Sequence, residues 1–305
     1  MHYRHLGSSG LKVSVVGLGT NNFGGRIDEA ASMRVIDAAL DAGINLFDTA
    51  DVYGGGKSET YIGERIKGRR DDVLIATKFR ARMGEGPNDQ GGSREYILRA
   101  VEASLRRLQT DYIDLYQMHS PDPDTPIEET LSALDDLVHQ GKVRYIGSSN
   151  FNGWQIADAA WIARVNHWSP FISAQNEYSL VNRAVEREVI PAGERFGVGM
   201  LPYLPLAGGL LTGKYRRGQA PPSGTRLARS PRADRFLNDP GFDVVEGLER
   251  FAAESGLSLL QVAIGGLAAQ PQVASVIAGA TTPEQVAANV EAGDWQPNPD
   301  DLAEI

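Results

Sequence analysis

Short apolar runs alternate with amphipathic segments along the whole chain. Most of the runs are continuously apolar instead of alternating with polar residues, which is typical of parallel strands covered on both faces. The runs predict eight strands, at residues 13–19, 44–48, 73–79, 113–119, 143–149, 171–177, 199–205 and 273–279.

The segments between the runs have the apolar spacing of helices. They predict helices at residues 28–42, 58–67, 93–108, 126–140, 152–167 and 183–196, a pair within 244–269, and a last helix at 283–292. Because strands and helices alternate eight times without a long linker, the pattern predicts one (β/α)8 barrel domain over residues 1–305. A doubly wound sheet is the alternative, but the first turn, "GLGTNNFGG", lacks the G-x-G-x-x-G spacing of that fold.

Two segments lie outside the eight units. Residues 3–14 predict an N-terminal β-hairpin that covers the floor of the barrel. Residues 214–242 are rich in Arg, Pro and Gly and predict a long loop after the seventh strand. Loops that follow barrel strands form the active face, so a basic loop at this place could hold a phosphate group.

Composition and charge exclude several classes of function. The net charge of −9 argues against a nucleic-acid partner, and the absence of cysteine excludes disulfides, thiolate metal sites and cysteine nucleophiles. The five histidines lack the spacing of metal ligands, so we expect no metal site. No apolar run approaches the ~18 residues of a membrane span, and the first residues do not resemble a signal peptide. We therefore expect a cytoplasmic protein with no membrane partner.

Polar side chains appear where the predicted strands end. They are Asp48, Lys78, His119, Ser149 with Asn150, Gln175 and Tyr203, and Tyr53 follows shortly after the second strand. In a barrel these ends meet at one mouth. A lone buried carboxylate costs several kcal/mol, so we expect Asp48 to pair with Lys78 on the next strand. A nearby cation favours an ionised phenol, which would suit Tyr53 for general acid–base catalysis.

The chain resembles the aldo-keto reductase superfamily over essentially its full length. The resemblance is carried by "GLGTNNFGG", "NLFDTADVYG", "LIATKF", "DLYQMHSPDP", "VRYIGSSNFN", "AQNEYSL", "PYLPLAGGLLTGKY" and "GATTPEQVAANV", which occur in the order and spacing of that family. The stretch "GLLTGKY" and the long basic loop resemble the bacterial general-stress and potassium-channel β-subunit-like branches more closely than the vertebrate steroid reductases.

The resemblance implies a reaction and a catalytic tetrad. Asp48, Tyr53, Lys78 and His119 match the tetrad. A hydride would pass from a reduced nicotinamide to the carbonyl carbon of a small aldehyde or ketone while Tyr53 protonates the oxygen. Lys78 would lower the pKa of Tyr53, and His119 would position the substrate.

The resemblance also implies the residues that hold the cofactor. Ser149, Asn150, Gln175 and Tyr203 match the nicotinamide contacts, and Leu204, Leu206 and Gly208 match the pyrophosphate loop. Thr20 and Asn21 match a cofactor-side loop, and Gly279, Thr281, Gln285 and Asn289 match the adenosine end. Many relatives have arginine at the position of Thr281. Lys214 and Arg226 match residues that supply this charge in the channel β-subunit branch, so we expect NADPH, with NADH as the alternative.

Other functions remain open from the sequence alone. One is a nucleotide-binding regulatory subunit with little catalysis, and another is a barrel with isomerase or dehydratase chemistry. Position alone suggests that Asn21, Phe23, Met83 and Trp295 line the substrate pocket, with Trp295 either closing over the mouth or covering the tail.

Overall fold

Strands form the centre of the protein. The computed structural model describes residues 1–231 and 233–305, apart from the side chain of Arg229. Its strands are β1 Tyr3–His5, β2 Lys12–Ser14, β3 Val16–Gly19, β4 Leu46–Asp48, β5 Leu74–Phe79, β6 Ile113–Met118, β7 Val143–Ser149, β8 Phe171–Gln175, β9 Gly199–Met200 and β10 Val276–Gly279.

The strands β3 to β10 form one parallel sheet in the order β10-β3-β4-β5-β6-β7-β8-β9. The two outer strands are joined by parallel bridges from Met200 to Val273 and from Tyr203 to Ile277. The amide of Met200 lies 2.8 Å from the carbonyl of Gln272 across this seam. The sheet therefore curls into a (β/α)8 barrel, and the predicted fold class is confirmed.

The helices surround the sheet. They are α1 Glu29–Asp41, α2 Lys57–Arg65, α3 Arg94–Leu108, α4 Ile127–His139, α5 Gly153–Asn166, α6 Val189–Phe196, α7 Ala233–Phe236, α8 Asp239–Glu254, α9 Leu259–Ala268, α10 Pro283–Gly293 and α11 Pro299–Glu304. Side-chain caps fix where several begin: Ser93 accepts a hydrogen bond from the amide of Tyr96, and Thr282 accepts one from that of Gln285.

A membrane-spanning helix is not found among the described residues. Only the pair α8 and α9 has enough length and apolar character when taken together, and the two helices meet at a bend of 99°.

The hairpin of β1 and β2 closes the amino-terminal end of the barrel. Leu6 and Val13 are fully buried in a cluster with the strand residues Leu46 and Leu115 and with Leu201, which directly follows β9. At the hairpin turn, Gly7 has a φ of +57°, and a side chain there would collide with the carbonyl of Gly197. Glycine at this position lets the hairpin pack against the first residues of β8 and β9. The predicted hairpin is confirmed.

Several elements differ in extent from the prediction. Strand β9 has two residues, whereas the apolar run predicts 199–205, because Pro202 and Pro205 cannot donate to a strand ladder. The helix predicted at 183–196 starts as a 3-10 turn, Ala184–Arg187, before α6. The predicted loop at 214–242 includes α7 and the first turn of α8, and α11 was not predicted at all.

Candidate active site

A cavity of about 500 Å³ opens at the carboxyl ends of the barrel strands. Every residue predicted to hold the cofactor lines this cavity, as do three of the four predicted catalytic residues. These are Thr20, Asn21, Ser149, Asn150, Gln175, Tyr203, Leu204, Leu206, Gly208, Lys214, Arg226, Gly279, Thr281, Gln285 and Asn289, with Asp48, Tyr53 and His119. The fourth predicted catalytic residue, Lys78, is fully buried.

Asp48 and Lys78 form a buried ion pair across the neighbouring strands β4 and β5. The ammonium nitrogen of Lys78 lies 2.7 and 2.8 Å from the two carboxylate oxygens of Asp48, and 2.8 Å from the carbonyl of Thr49. Gln175 donates a further bond of 2.6 Å to Asp48 Oδ1. The expected pairing of the acid and the lysine is therefore confirmed.

This pairing keeps Lys78 charged in a place where water is excluded. Burial by itself lowers the pKa of Lys78, but the carboxylate of Asp48 and the phenol of Tyr53 outweigh burial, and the pKa is raised. Lys78 is therefore a permanent cation at neutral pH.

Tyr53 lies beside this cation. It follows β4 in a 3-10 turn whose residues Gly54 and Gly55 have φ values of 58° and 65°. The Lys78 ammonium is 5.2 Å from the centre of the Tyr53 ring. The ring of His119 meets Tyr53 edge-on, with 5.8 Å between ring centres.

The net pKa shift of Tyr53 is opposite to the expectation. Burial raises the pKa of the phenol, and the charge of Lys78 lowers it by less than burial raises it. Lys78 does lower the pKa of Tyr53, as expected, but the net shift from burial and all neighbouring charges is upward. Tyr53 carries its proton at neutral pH.

His119 is uncharged at neutral pH. Burial, followed by the charges of Lys78 and Arg80, lowers its pKa to about 3. Its Nδ1 is buried without a hydrogen-bond partner. A neutral imidazole keeps one N–H donor and one acceptor, so His119 can donate a hydrogen bond without carrying charge.

Asn150 connects the polar groups at the ends of three strands. Its backbone is left-handed, with a φ of 60°. Its side-chain nitrogen donates to the carbonyl of His119 at 2.8 Å and to the hydroxyl of Ser149 at 3.1 Å. The hydroxyl of Tyr203 donates to its oxygen at 2.7 Å. These bonds fix the orientation of the amide and of the Tyr203 ring at the edge of the cavity.

The cavity continues along an irregular backbone segment after β9. Leu204 and Ala207 have positive φ values of 54° and 46°, as do Gly208 and Gly209 at 70° and 100°. A φ of 100° strains any residue that has a side chain, so the turn at Gly209 favours glycine. The far end of the cavity reaches the start of α10, where the amide of Thr281 is bonded to the side chain of Gln285 at 2.8 Å.

One cation of the cavity was missed by sequence reasoning. Arg26, in the loop between β3 and α1, lines the cavity and lies 3.5 Å from the carbonyl of Gly224 on the opposite loop. Burial and then the charge of Arg26 lower the pKa of Arg226. No described carboxylate lies within ion-pair distance of Arg26, Lys214 or Arg226. The sequence does not predict this position of Arg26, because its loop and the loop of Gly224 are distant in sequence and meet only in the folded protein.

Two of the suggested substrate-pocket residues lie elsewhere. Phe23 is fully buried in the main hydrophobic core. Trp295 packs against Phe251 and lines a separate small cavity beside the N-terminal hairpin, at the opposite end of the barrel. Asn21 does line the main cavity, and Met83 is exposed on the loop after β5. Among residues 1–231 and 233–305, no group of acidic or histidine side chains has the arrangement of a metal site.

A second acid lies beneath the catalytic candidates. Asp51 is 1% exposed, and neither of its carboxylate oxygens has a hydrogen-bond partner of good geometry. Burial and the neighbouring carboxylate of Glu59 raise its pKa to about 7, and the charge of Arg107 and the backbone amide of Val52 only partly offset them. Asp51 therefore destabilises the fold whenever it is ionised.

We predict that Asp51→Asn stabilises the protein in a pH-dependent way. The unfolded chain loses this proton near pH 4 and the folded chain near pH 7, so the penalty grows between those values. The difference in free energy of unfolding between the variant and wild type should be larger at pH 8 than at pH 4, by on the order of 2–4 kcal/mol in favour of the variant. Thermal unfolding at both pH values measures the gain, and Asp111→Asn at an exposed site is the control. The same difference in stability between Asp51→Asn and wild type at pH 4 and pH 8 would contradict this explanation.

Comparison with known proteins agrees with this architecture. Residues 15–305 match the model of the Aldo/keto reductase family. The chain is 39% identical to a probable voltage-gated potassium channel subunit beta of Oryza sativa subsp. japonica and 40% identical to one of Arabidopsis thaliana. Each alignment covers 97% of this chain and 92% of the relative.

A bacterial relative is equally similar. The uncharacterized oxidoreductase YrpG of Bacillus subtilis (strain 168) is 41% identical, and the alignment covers 96% of this chain and 91% of the relative. The family model covers nearly the whole chain, and the barrel has the corresponding fold. The chain belongs to the aldo/keto reductase family.

Proposed function

We propose that this protein reduces the carbonyl group of small aldehydes or ketones, with NADPH as the hydride donor and Tyr53 as the general acid. The observation that carries the proposal is the position of Tyr53, whose ring lies near both the Lys78 cation and the neutral ring of His119. Membership of the family and the similarity to an oxidoreductase support this general activity.

The cavity suits a dinucleotide in both shape and chemistry. It runs from Tyr53 and His119, past the glycine turn at Gly208 and Gly209, to the start of α10. Ser149, Asn150, Gln175 and Tyr203 would hold the nicotinamide, and the backbone after β9 would follow the pyrophosphate. When bound, the reduced nicotinamide supplies a hydride to the carbonyl carbon of the substrate.

The side chains around the carbonyl oxygen would each have one task. Tyr53 donates its proton to this oxygen, and the raised pKa of the phenol ensures that the proton is present at neutral pH. Lys78 stabilises the negative charge that appears on Tyr53 as the proton leaves. Asp48 keeps Lys78 in place through two short bonds. His119 donates a hydrogen bond that orients the carbonyl group.

We predict that Tyr53→Phe reduces turnover by ~10²–10⁴-fold, because the change removes the proton donor and little volume. Oxidation of NADPH with a simple aldehyde measures the turnover. Quenching of protein fluorescence should show nearly unchanged NADPH affinity, since the ring stays in place. Tyr61→Phe, at a half-buried position on α2, is the matched control and should keep full activity. A loss of less than tenfold in Tyr53→Phe would count against the role of this phenol.

The preference for NADPH rests on the cations in the long loop. Lys214 and Arg226 line the cavity and have no ion-pair partner among the described residues, so both are available to an anion. The 2′-phosphate is the group that distinguishes NADPH from NADH. Thr281, at the far end of the cavity, carries no charge. The two loop cations would therefore supply the attraction.

We predict that Lys214→Ala and Arg226→Ala each weaken NADPH binding by roughly ten- to hundredfold and leave NADH binding nearly unchanged. Thr281→Arg should strengthen NADPH binding with the same selectivity. Fluorescence titration with both cofactors, at low and high salt, measures these effects, and high salt should reduce them. Arg216→Ala is the matched control, because Arg216 lies in the same loop but is paired with Glu249 at 2.7 Å. Parallel changes for both cofactors would show that these cations do not recognise the 2′-phosphate.

A second candidate function is a nucleotide-binding regulatory subunit. It is favoured by the two plant relatives, which are named as probable potassium channel β subunits. The complete set of Asp48, Tyr53, Lys78 and His119 supports an enzyme, because binding alone does not require it. Tight NADPH binding without oxidation of NADPH by any aldehyde or ketone of a broad panel would favour the regulatory function.

A further inference from the structure

Arg80 lies next to His119 at the mouth of the barrel. Strands β5 and β6 pair in parallel, with Lys78 opposite Gln117 and Phe79 opposite Met118. The next pair along this register is Arg80 and His119. The amide of His119 donates to the carbonyl of Phe79 at 3.1 Å, so the two strands are still bonded at this point. Arg80 therefore lies beside the end of the cavity where the proposed reaction takes place.

The backbone of Arg80 is strained. Its φ is +98°, in a region that favours glycine and that costs other residues on the order of 1–3 kcal/mol. The surrounding loop imposes this conformation, since the amide of Gly91 donates to the Arg80 carbonyl at 3.0 Å. Strained backbone conformations of this kind cluster at active sites and ligand-binding positions.

The guanidinium of Arg80 forms no ion pair with the described residues. Its Nε is buried without a hydrogen-bond partner, and no carboxylate of the described residues lies within ion-pair distance of it. Asp122 is the neighbouring acid on which its charge acts. That carboxylate is occupied by the amide of Gly92 at 2.7 Å and by the hydroxyl of Thr125 at 2.8 Å. A partly buried arginine without a partner is ready to bind an anion.

The other groups of the reaction centre form no ion pair with Arg80. Asp48 is paired with Lys78, Tyr53 and His119 are both uncharged at neutral pH, and the buried Asp51 has no hydrogen-bond partner. The protein as a whole carries a net charge of −9, but beside His119, at this end of the cavity, lies an arginine without an ion pair. A negatively charged substrate would be attracted there, and a neutral one would not.

We infer that Arg80 binds a negatively charged group of the substrate, so that this protein prefers carbonyl compounds that carry a carboxylate. The inference rests on the proposed carbonyl reduction and adds the class of substrate. Arg80 determines specificity and takes no part in proton or hydride transfer.

The experiment compares 3- and 4-formylbenzoate with their neutral methyl esters, using NADPH and the intact protein. The quantity measured is the ratio of kcat/KM for the acid to that for the ester, and it is compared between wild type and variants so that intrinsic reactivity cancels. In Arg80→Gln the ratio should fall by roughly ten- to hundredfold, mainly through KM for the acid. Arg80→Lys should retain part of the preference. Arg82→Gln, an exposed arginine of the same loop, should leave the ratio as in wild type.

Arg80→Gly covers the possibility that the glutamine variant folds poorly, because glycine adopts a φ of +98° without strain. It should show the same fall in the ratio. An unchanged ratio in folded Arg80→Gln and Arg80→Gly, with both substrates reduced, would overturn this inference and leave the proposed function intact. If neither the acids nor the esters are reduced while NADPH binds, the proposed function fails, and this inference fails with it.

Discussion

The buried ion pair of Asp48 and Lys78 is the interaction on which the site depends. Both side chains are almost inaccessible to water, at 3% and 0% exposed, and each would be strongly unfavourable alone. The pair forms because β4 and β5 are neighbours in a parallel sheet whose strands end at the same edge. Gln175 and the carbonyl of Thr49 satisfy further hydrogen-bonding positions. The register of the barrel therefore fixes a cation beside Tyr53.

Around this pair the protein keeps its reactive groups uncharged. The raised pKa of Tyr53 and the lowered pKa of His119 leave a protonated phenol and a neutral imidazole at the same end of the cavity. Asp51, in contrast to the paired Asp48, destabilises the fold near neutral pH, because its carboxylate is buried and has no hydrogen-bond partner. The strained backbone of Arg80 adds a second local cost. Both residues follow β4 and β5, the two strands that carry the ion pair.

The sequence is sufficient to predict features that depend on strand periodicity. A parallel barrel brings all strand ends to one mouth, so the positions of Asp48, Lys78, His119 and Gln175 at the ends of apolar runs already place them together. Features that depend on how deeply a side chain is buried, or on how loops pack against each other, could not be predicted from the sequence. The charge of Lys78 is visible in the sequence, but the burial that reverses the net pKa shift of Tyr53 is not. Arg26 meets the opposite loop through tertiary packing, and Phe23 and Trp295 were misplaced because position in the chain does not give the direction of a side chain.

The central claim is that Lys78 has two separable tasks, to pair with Asp48 and to support Tyr53. A double-mutant cycle with Lys78→Met and Asp48→Asn tests this most directly, with turnover and thermal unfolding measured on the same samples. Lys78→Met alone should lose most turnover and ~3–5 kcal/mol of stability, because it leaves a buried carboxylate without its partner. Adding Asp48→Asn should recover much of that stability but none of the turnover. Additive losses of stability, or full activity in Lys78→Met, would contradict the account.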